Sequence, residues 1–228
     1  MPLVPAFYTR PTLDVLGDLI GKVLVHDTAD GRTSGAIVEA EAYIGEDDPA
    51  CHAAPGPTPR NAPLYGDPGR AYVYLNYGLH NMVNVVTQPA GEPAAILIRA
   101  LAPIDGIEIM RARRHAARQR TKSGAVADDV DLCRGPGNLT VSLGITLAQN
   151  RAPLTSGTLF IEDCHIEPEG LVWSPRIGIR VGTEHLWRCA WRHHASVSVD
   201  RGRDRARQAI ARGAAAATAV PRGSRRAR

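Results

Sequence analysis

The spacing of apolar and polar positions changes period several times along the chain, and each change predicts an element. In TLDVLGDLI, residues 12–20, Leu13, Leu16 and Ile20 recur at helical spacing behind a capping threonine, Thr12, and Gly21 follows where a helix would stop. Residues 22–27 and 35–44 then read as a hairpin turned by ADGRTSG, which contains an Asp-Gly turn signal. Within the second strand Val38, Ala40, Ala42 and Ile44 share one side, while Glu39, Glu41 and Tyr43 share the other. The Gly- and Pro-rich residues 45–70 predict a long ordered loop. Alternation resumes over 71–87 on both sides of a turn, giving a second hairpin with Tyr77 and Gly78 near its tip, and AILIRA at 95–100 is a further strand. PIDGIEIMRARRHAARQR opens with Asp105 and Glu108 in capping-box spacing and continues as a helix bearing Arg111, Arg113, Arg114, Arg118 and Arg120, whose charged face is either phosphate-facing or merely solvated. CRGPGNLTVSLGI sets a Gly-Pro-Gly turn before a short helix whose first amides can take an anionic oxygen. Residues 158–200 read as short strands and turns, including LFIED and ASVSVD, and no internal repeat is found.

Composition narrows this to a turn-rich globular protein. Of 228 residues 44% are hydrophobic and only 5% aromatic, so the core is built mainly from Ala, Val, Ile and Leu. With no linker before residue 200, one domain over 1–200 is expected. The net charge of +4 conceals a split: residues 201–228 hold nine Arg and one acid, Asp204, for +8, leaving −4 on the first 200 residues. The segment 201–228 therefore reads as a basic mobile tail, either a polyanion-grazing arm or a solvated extension. Cys51, Cys133, Cys164 and Cys189 are far apart and form no CxxC, which fits reduced thiols better than a zinc finger or a disulfide framework. No stretch approaches the roughly 18 apolar residues of a membrane span, and the N-terminus lacks a basic region followed by an apolar run. No membrane association and a cytoplasmic location are expected.

Chemistry concentrates in few residues. Glu39 and Glu41 lie two apart on a strand, ~7 Å between side-chain origins. Carboxylate pairs of this kind hydrolyse glycosidic bonds, although an exposed strand face would also carry Glu without consequence. His52, eleven residues beyond Glu41, is open to several readings, from metal ligand to plain loop residue. The histidines and cysteines make no recognisable ligand set, so no metal is expected. Tyr72 and Tyr74 share a strand face and Tyr77 sits at a hairpin tip; aromatics that stack on bases, with a wedge that replaces an extruded one, suit base flipping. Lys22 and Lys122 are the only lysines, so an imine-forming amine has few candidates besides Pro2 after removal of Met1.

Taken together, FYTRPTLDVLGDLIGKVLVH, IVEAEAYIGEDDPACHA, TPRNAPLYGDPGRAYVYLNYGLHNMVNVV, AILIRALAPIDG and CRGPGNLTVSLGI resemble, in order, the alkyladenine (3-methyladenine) DNA glycosylase family, and SPRIGI at 174–179 extends the match. The resemblance implies a base-excision repair enzyme that flips alkylated or deaminated purines out of duplex DNA and hydrolyses the N-glycosidic bond. By carry-over, Glu41 would hold and deprotonate the attacking water, with Glu39 as a supporting acid and Arg99 anchoring the nucleotide backbone and the water. Tyr43 and Tyr74 would bracket the base, His52 would donate to its edge, Asn84 would stand at the pocket floor against the amine of normal guanine, and Tyr77 would be the wedge. The implied enzyme is a monofunctional monomer, without metal or cofactor, acting on damaged double-stranded DNA and associated with the nucleoid through it.

The implied fold is a single α+β domain, a curved and mostly antiparallel sheet or partly open barrel flanked by helices, with a protruding hairpin that inserts into DNA. A lyase-competent glycosylase using Pro2 and a non-catalytic nucleic-acid-binding module are the alternatives. Two departures from the family's pattern bear on the site. Asn138 stands where a Lys is usual, and the C-terminal segments LWRCAW and HHASVS replace the family's usual ones at the pocket edge and DNA-facing rim.

Overall fold

A computed structural model describes residues 1–121 and 128–198, which belong to one unit spanning Met1–Ser198. The tail from 201 lies outside the described residues. Two short helices, α1 (Pro5–Tyr8) and α2 (Thr12–Leu19), precede β1 (Val23–Thr28) and a 14-residue β2 (Gly31–Ile44). The hairpin β3 (Ala71–Asn76) and β4 (His80–Val86) leads to β5 (Ala94–Pro103), then to α3 (Ile107–Thr121) and α4 (Pro136–Leu143). Three four-residue strands complete the unit, β6 (Leu159–Glu162), β7 (Leu171–Ser174) and β8 (Arg188–Trp191).

All eight strands form one antiparallel sheet in the order β3-β4-β5-β2-β1-β6, with β8 joining β2 and β7 joining β8. The sheet curls into a half-barrel, so the fold is α+β with few helices, as the resemblance implied. Alternation decides what each face does. Ala40, Ala42, Ala71, Val73, Val83, Val85, Ile96 and Ile98 pack with Leu16 and Leu19 of α2, Met110 of α3 and Leu139 and Leu143 of α4 in the main core. Their sequence neighbours Tyr43, Tyr72, Tyr74, Val86 and Ala95 cluster instead with Cys51, Ala53 and Leu64 from the loop 45–70.

The β2–β5 ladder slips between Ile37 and Ala40, where Val38 and Arg99 have no cross-strand partner. A bulge of this kind adds a residue and reverses the faces beyond it. Hence Ile37, not Val38, joins Ala40 and Ala42 in the main core, although all three of those positions and Val38 are fully buried.

Local signals fared unevenly. Gly21 does end α2, with φ +92° and no room for a Cβ, which would meet the Ile166 carbonyl oxygen at 2.3 Å. Thr12, however, lies inside the helix and does not cap it; its hydroxyl is buried against that of Thr87 at 3.0 Å, tying α2 to the end of β4. The first hairpin turns on Ala29 and Asp30 alone, so Gly31 to Ser34, expected in the turn, are strand. Asp105 is out of place for a capping box with Glu108, since α3 begins at Ile107 and Gly106 precedes it; the Ser34 hydroxyl donates to the Asp105 carboxylate at 2.6 Å. ASVSVD is not a strand as far as Ser198, and its last two residues lie outside the described residues. The loop 45–70 is ordered from within: the Asn61 amide, 2% exposed, donates to the carbonyls of His52 and Gly56 and accepts from the Thr58 N–H. Among the described residues no helix is long and apolar enough to cross a membrane.

Candidate active site

The face of β2 opposite the main core presents Glu39 and Glu41, both fully buried. Carboxylates at that depth need donors, and each has its own set. Glu39 Oε1 accepts from Arg99 Nε at 3.0 Å, Arg188 Nε at 2.7 Å and the Ser198 hydroxyl at 2.8 Å, while Oε2 takes the Ser198 N–H at 2.6 Å. Glu41 Oε2 accepts from Arg99 Nη1 at 3.1 Å and the Tyr43 hydroxyl at 3.0 Å, and Oε1 takes the Ile177 N–H at 2.6 Å. Arg99 thus bridges the two carboxylates. Burial raises the Glu41 carboxyl above the ordinary carboxylate range, against the opposing pull of Arg99, the Ile177 amide and the Tyr43 hydroxyl.

Beside this cluster lies a cavity of about 460 Å³, large enough for a purine base. Its wall includes Tyr43, Arg99 and Ile177, the three residues that donate to Glu41, so the carboxylate sits directly behind that wall. His52, Tyr74 and Asn84 also face the cavity. The His52 ring meets Tyr74 edge-on with centroids 4.5 Å apart, and its Nδ1 is 2.9 Å from the Tyr72 hydroxyl. Burial and then Arg60 lower the His52 pKa, so the imidazole is neutral at pH 7, whereas burial pushes the Tyr72 phenol up to about 12. Asn84, 4% exposed, donates its amide to the Tyr72 carbonyl at 2.9 Å. Tyr77 sits at the cavity mouth on the β3–β4 turn, 91% exposed with φ +47°, and Leu79 beside it is 74% exposed.

All seven candidate residues, Glu41, Arg99, Tyr43, His52, Tyr74, Asn84 and Tyr77, therefore meet in or against one cavity. Sequence reading missed the residues that hold them. Arg176, inside SPRIGI, is buried with its guanidinium bidentate on Asp48, Nη1 to Oδ2 at 2.6 Å and Nη2 to Oδ1 at 2.8 Å. It lies 4.7 Å from the Tyr43 ring centroid and 5.1 Å from that of Trp187, and Trp187 in turn stacks on His185 at 4.0 Å. Arg188 and Ser198, which grip Glu39, come from LWRCAW and from the end of HHASVS, so the divergent segments still supply donors. The only signal was the SPRIGI match itself, which carried no role.

Asn138 is also engaged: its amide oxygen accepts from Arg114 and its NH2 donates to the Arg134 carbonyl at 2.6 Å. On α3, Arg111 pairs with Asp129 and Arg113 with Asp30, so these arginines tie the helix to its surroundings. Among the described residues no group of three His, Cys, Asp or Glu side chains is placed to hold a metal ion.

Comparison of the sequence with known proteins identifies its relatives. A family model, Methylpurine-DNA glycosylase (MPG), matches residues 6–195. A protein of Chlorobium phaeobacteroides named "Putative 3-methyladenine DNA glycosylase" is 48% identical over 184 residues, covering 80% of this chain and 87% of that protein. One of the same name from Methanocella arvoryzae is 46% identical over 196 residues, covering 85% and 92%. A Burkholderia lata protein, also so named, is 45% identical over 186 residues, covering 80% and 84%. With the match running from α1 to beyond β8, the chain belongs to the methylpurine-DNA glycosylase family.

Proposed function

We propose that this protein is a monofunctional DNA glycosylase that extrudes methylated or deaminated purines from duplex DNA and hydrolyses their N-glycosidic bond with a water activated by Glu41. The observation that carries the reading is the unequal occupancy of the Glu41 carboxylate. Oε2 already has two donors, Tyr43 and Arg99, whereas Oε1 has one, Ile177, which leaves a lone pair on Oε1 for a water. A carboxyl raised toward neutrality is also a better base than an ordinary one. The water attacks C1′ of the deoxyribose as the C1′–N bond breaks; the bond's electrons leave with the base, and the water's proton passes to Glu41.

The base stacks between Tyr43 and Tyr74, whose electron-rich faces suit a purine made cationic by alkylation. His52 Nδ1 lies 2.9 Å from the Tyr72 hydroxyl, and with that hydroxyl as donor the ring proton stands on Nε2, free to donate to the base edge. Asn84, its amide held by the Tyr72 carbonyl, excludes the exocyclic amine of guanine. Tyr77 wedges into the gap left by the extruded nucleotide. Pro2, the rival amine nucleophile, pairs with Glu162 on β6, at the far end of the strand order from β3 and β4, which favours hydrolysis over imine chemistry.

Single-turnover excision from duplexes carrying hypoxanthine, ethenoadenine or methylated purines tests this. Wild type releases free base and leaves an abasic strand uncut, while Glu41→Gln binds the same DNA but loses about 10²- to 10⁴-fold in rate. Wild-type binding without release of any base overturns the reading, and a borohydride-trapped adduct overturns its monofunctional part.

A further inference from the structure

The donor on Glu41 Oε1 is a backbone amide, and nothing in the local chain fixes it there. Ile177 belongs to the stretch between β7 and β8, which contains no helix or strand and has the open, positive-φ Gly178 next in line. An amide in such a segment is held only as well as its neighbours are. The neighbour is Arg176, and it is fixed on several sides at once: bidentate on Asp48, donating to the Ala42 carbonyl at 3.0 Å and to the Gly182 carbonyl at 3.3 Å, and lying against the rings of Tyr43 and Trp187. Asp48 is fixed in its turn, accepting the Ile44 N–H at 3.3 Å and the Ala50 N–H at 3.0 Å. Both members of the ion pair have fully buried side chains, and Arg176 Nε is buried with no hydrogen-bond partner among the described residues.

A buried pair with an unsatisfied donor is a poor way to gain stability, since a well-packed apolar pair would serve as well. Its geometric effect is specific. The guanidinium contacts the ring of Tyr43, which donates to Oε2, and the next residue in the chain donates to Oε1. We propose that Asp48 and Arg176 are positioning residues of the active site, which set the Ile177 amide and the Tyr43 ring on the two oxygens of Glu41 and so aim the free lone pair of Oε1 at the sugar. The proposal rests on the reading of Glu41 as the base. A misplacement of about 1 Å in a reacting group costs about 10²-fold in rate, so loss of this brace falls on the chemical step more than on DNA affinity.

The test combines a rate with a local structural readout. In Asp48→Asn, single-turnover excision at saturating enzyme falls about 10- to 100-fold while the Kd for a duplex with an abasic-site analogue stays within about twofold. Hydrogen exchange of the Ile177 amide accelerates by more than the uniform increase that the lower global stability gives the β2 and β5 amides. Arg176→Lys, which keeps a cation between the two rings but loses the bidentate fork, gives the same split with a smaller loss and serves if Asp48→Asn fails to fold. Excision at the wild-type rate in a folded variant whose Ile177 amide has been freed overturns the proposal. Equal losses in rate and DNA affinity overturn it too, since they mark general damage. If wild type itself releases no base, the glycosylase reading fails, while the exchange of Ile177 still reports whether the pair holds the amide.

Discussion

Glu41 carries its charge where burial opposes it, and as the proposed base it would set the acid side of the reaction. Because the folded carboxyl binds its proton more tightly than the ordinary 4.5, the base is lost as pH falls through a value above 4.5. Single-turnover excision of a neutral lesion such as hypoxanthine is therefore expected to decline on the acid side earlier than an exposed glutamate allows, and a rate flat down to pH 4.5 contradicts this. Asp48 has the opposite sign. Burial disfavours its charge most, but the hydrogen bonds and charge of Arg176 and the amides of Ala50 and Ile44 together outweigh that and hold its pKa below the ordinary 3.8. Its contribution to stability is full above 3.8 and is lost as pH falls through the depressed folded value. Replacing Asp48 by Asn leaves Arg176 uncompensated and is expected to cost about 3–5 kcal/mol at neutral pH. The gap from wild type narrows at the acid end, which urea unfolding at pH 7 and pH 3 would measure. Glu41, Arg99 and Tyr43 were legible because they sit in motifs that resemble a family. Asp48 and Arg176 also lie in resembling segments, but the resemblance attached no role to them, and they meet across 128 positions with no neighbour in sequence that announces the pair.

At the scale of elements, the β3–β4 hairpin holds a local strain at an exposed aromatic. Tyr77 has φ +47°, a conformation that costs a non-glycine residue about 1–2 kcal/mol, and it turns its aromatic surface to solvent. Tyr77→Gly is accordingly expected to raise the unfolding free energy by roughly 1 kcal/mol while slowing excision and weakening binding to lesion-bearing duplex. A variant that is both more stable and fully active would remove the wedge from the mechanism. The hairpin was legible because its alternation flanks a turn. The β2–β5 bulge was not: hydrophobic alternation reports which face a residue takes only while the ladder stays in register, and Val38, small and apolar, gives no sign that the register has slipped. That slip is what allows Ile37 and Ala40 both to enter the core while Glu39 and Arg99 meet.

For the whole molecule, charge and thiols give the clearest expectations. The first 200 residues carry −4 and residues 201–228 carry +8, so the body has little net attraction for DNA and the tail has much. Removing 201–228 is expected to flatten the salt dependence of DNA binding, by about 0.9 in the log–log slope for each phosphate that the tail neutralises. An unchanged slope would show that the tail stays clear of DNA. Of the four free cysteines, Cys51, Cys133 and Cys189 are buried, with pKa values pushed up to about 11, 12 and 12, and Cys164 is exposed. A thiol reagent should therefore find one reactive cysteine in the native protein and four after denaturation. Fold class followed from alternation and resemblance together. The joining of β8 to β2 did not, because a four-residue strand that pairs about 150 positions away leaves no pattern for sequence reading to use.

The grip of Ser198 and Arg188 on Glu39 also has a meaning in time. Glu39 and Glu41 leave the ribosome early, yet Ile177, Arg188 and Ser198, which supply four of their seven hydrogen bonds, emerge last. Until then two carboxylates bound for the interior have only Arg99 and Tyr43 beside them. A growing chain can build the β1–β2 and β3–β4 hairpins, but closing the carboxylate cluster must wait for almost the last residue of the folded unit. A chain interrupted before β8 lacks three of the four hydrogen bonds on Glu39, and if the proposed function holds it is expected to excise no base at all rather than to excise slowly.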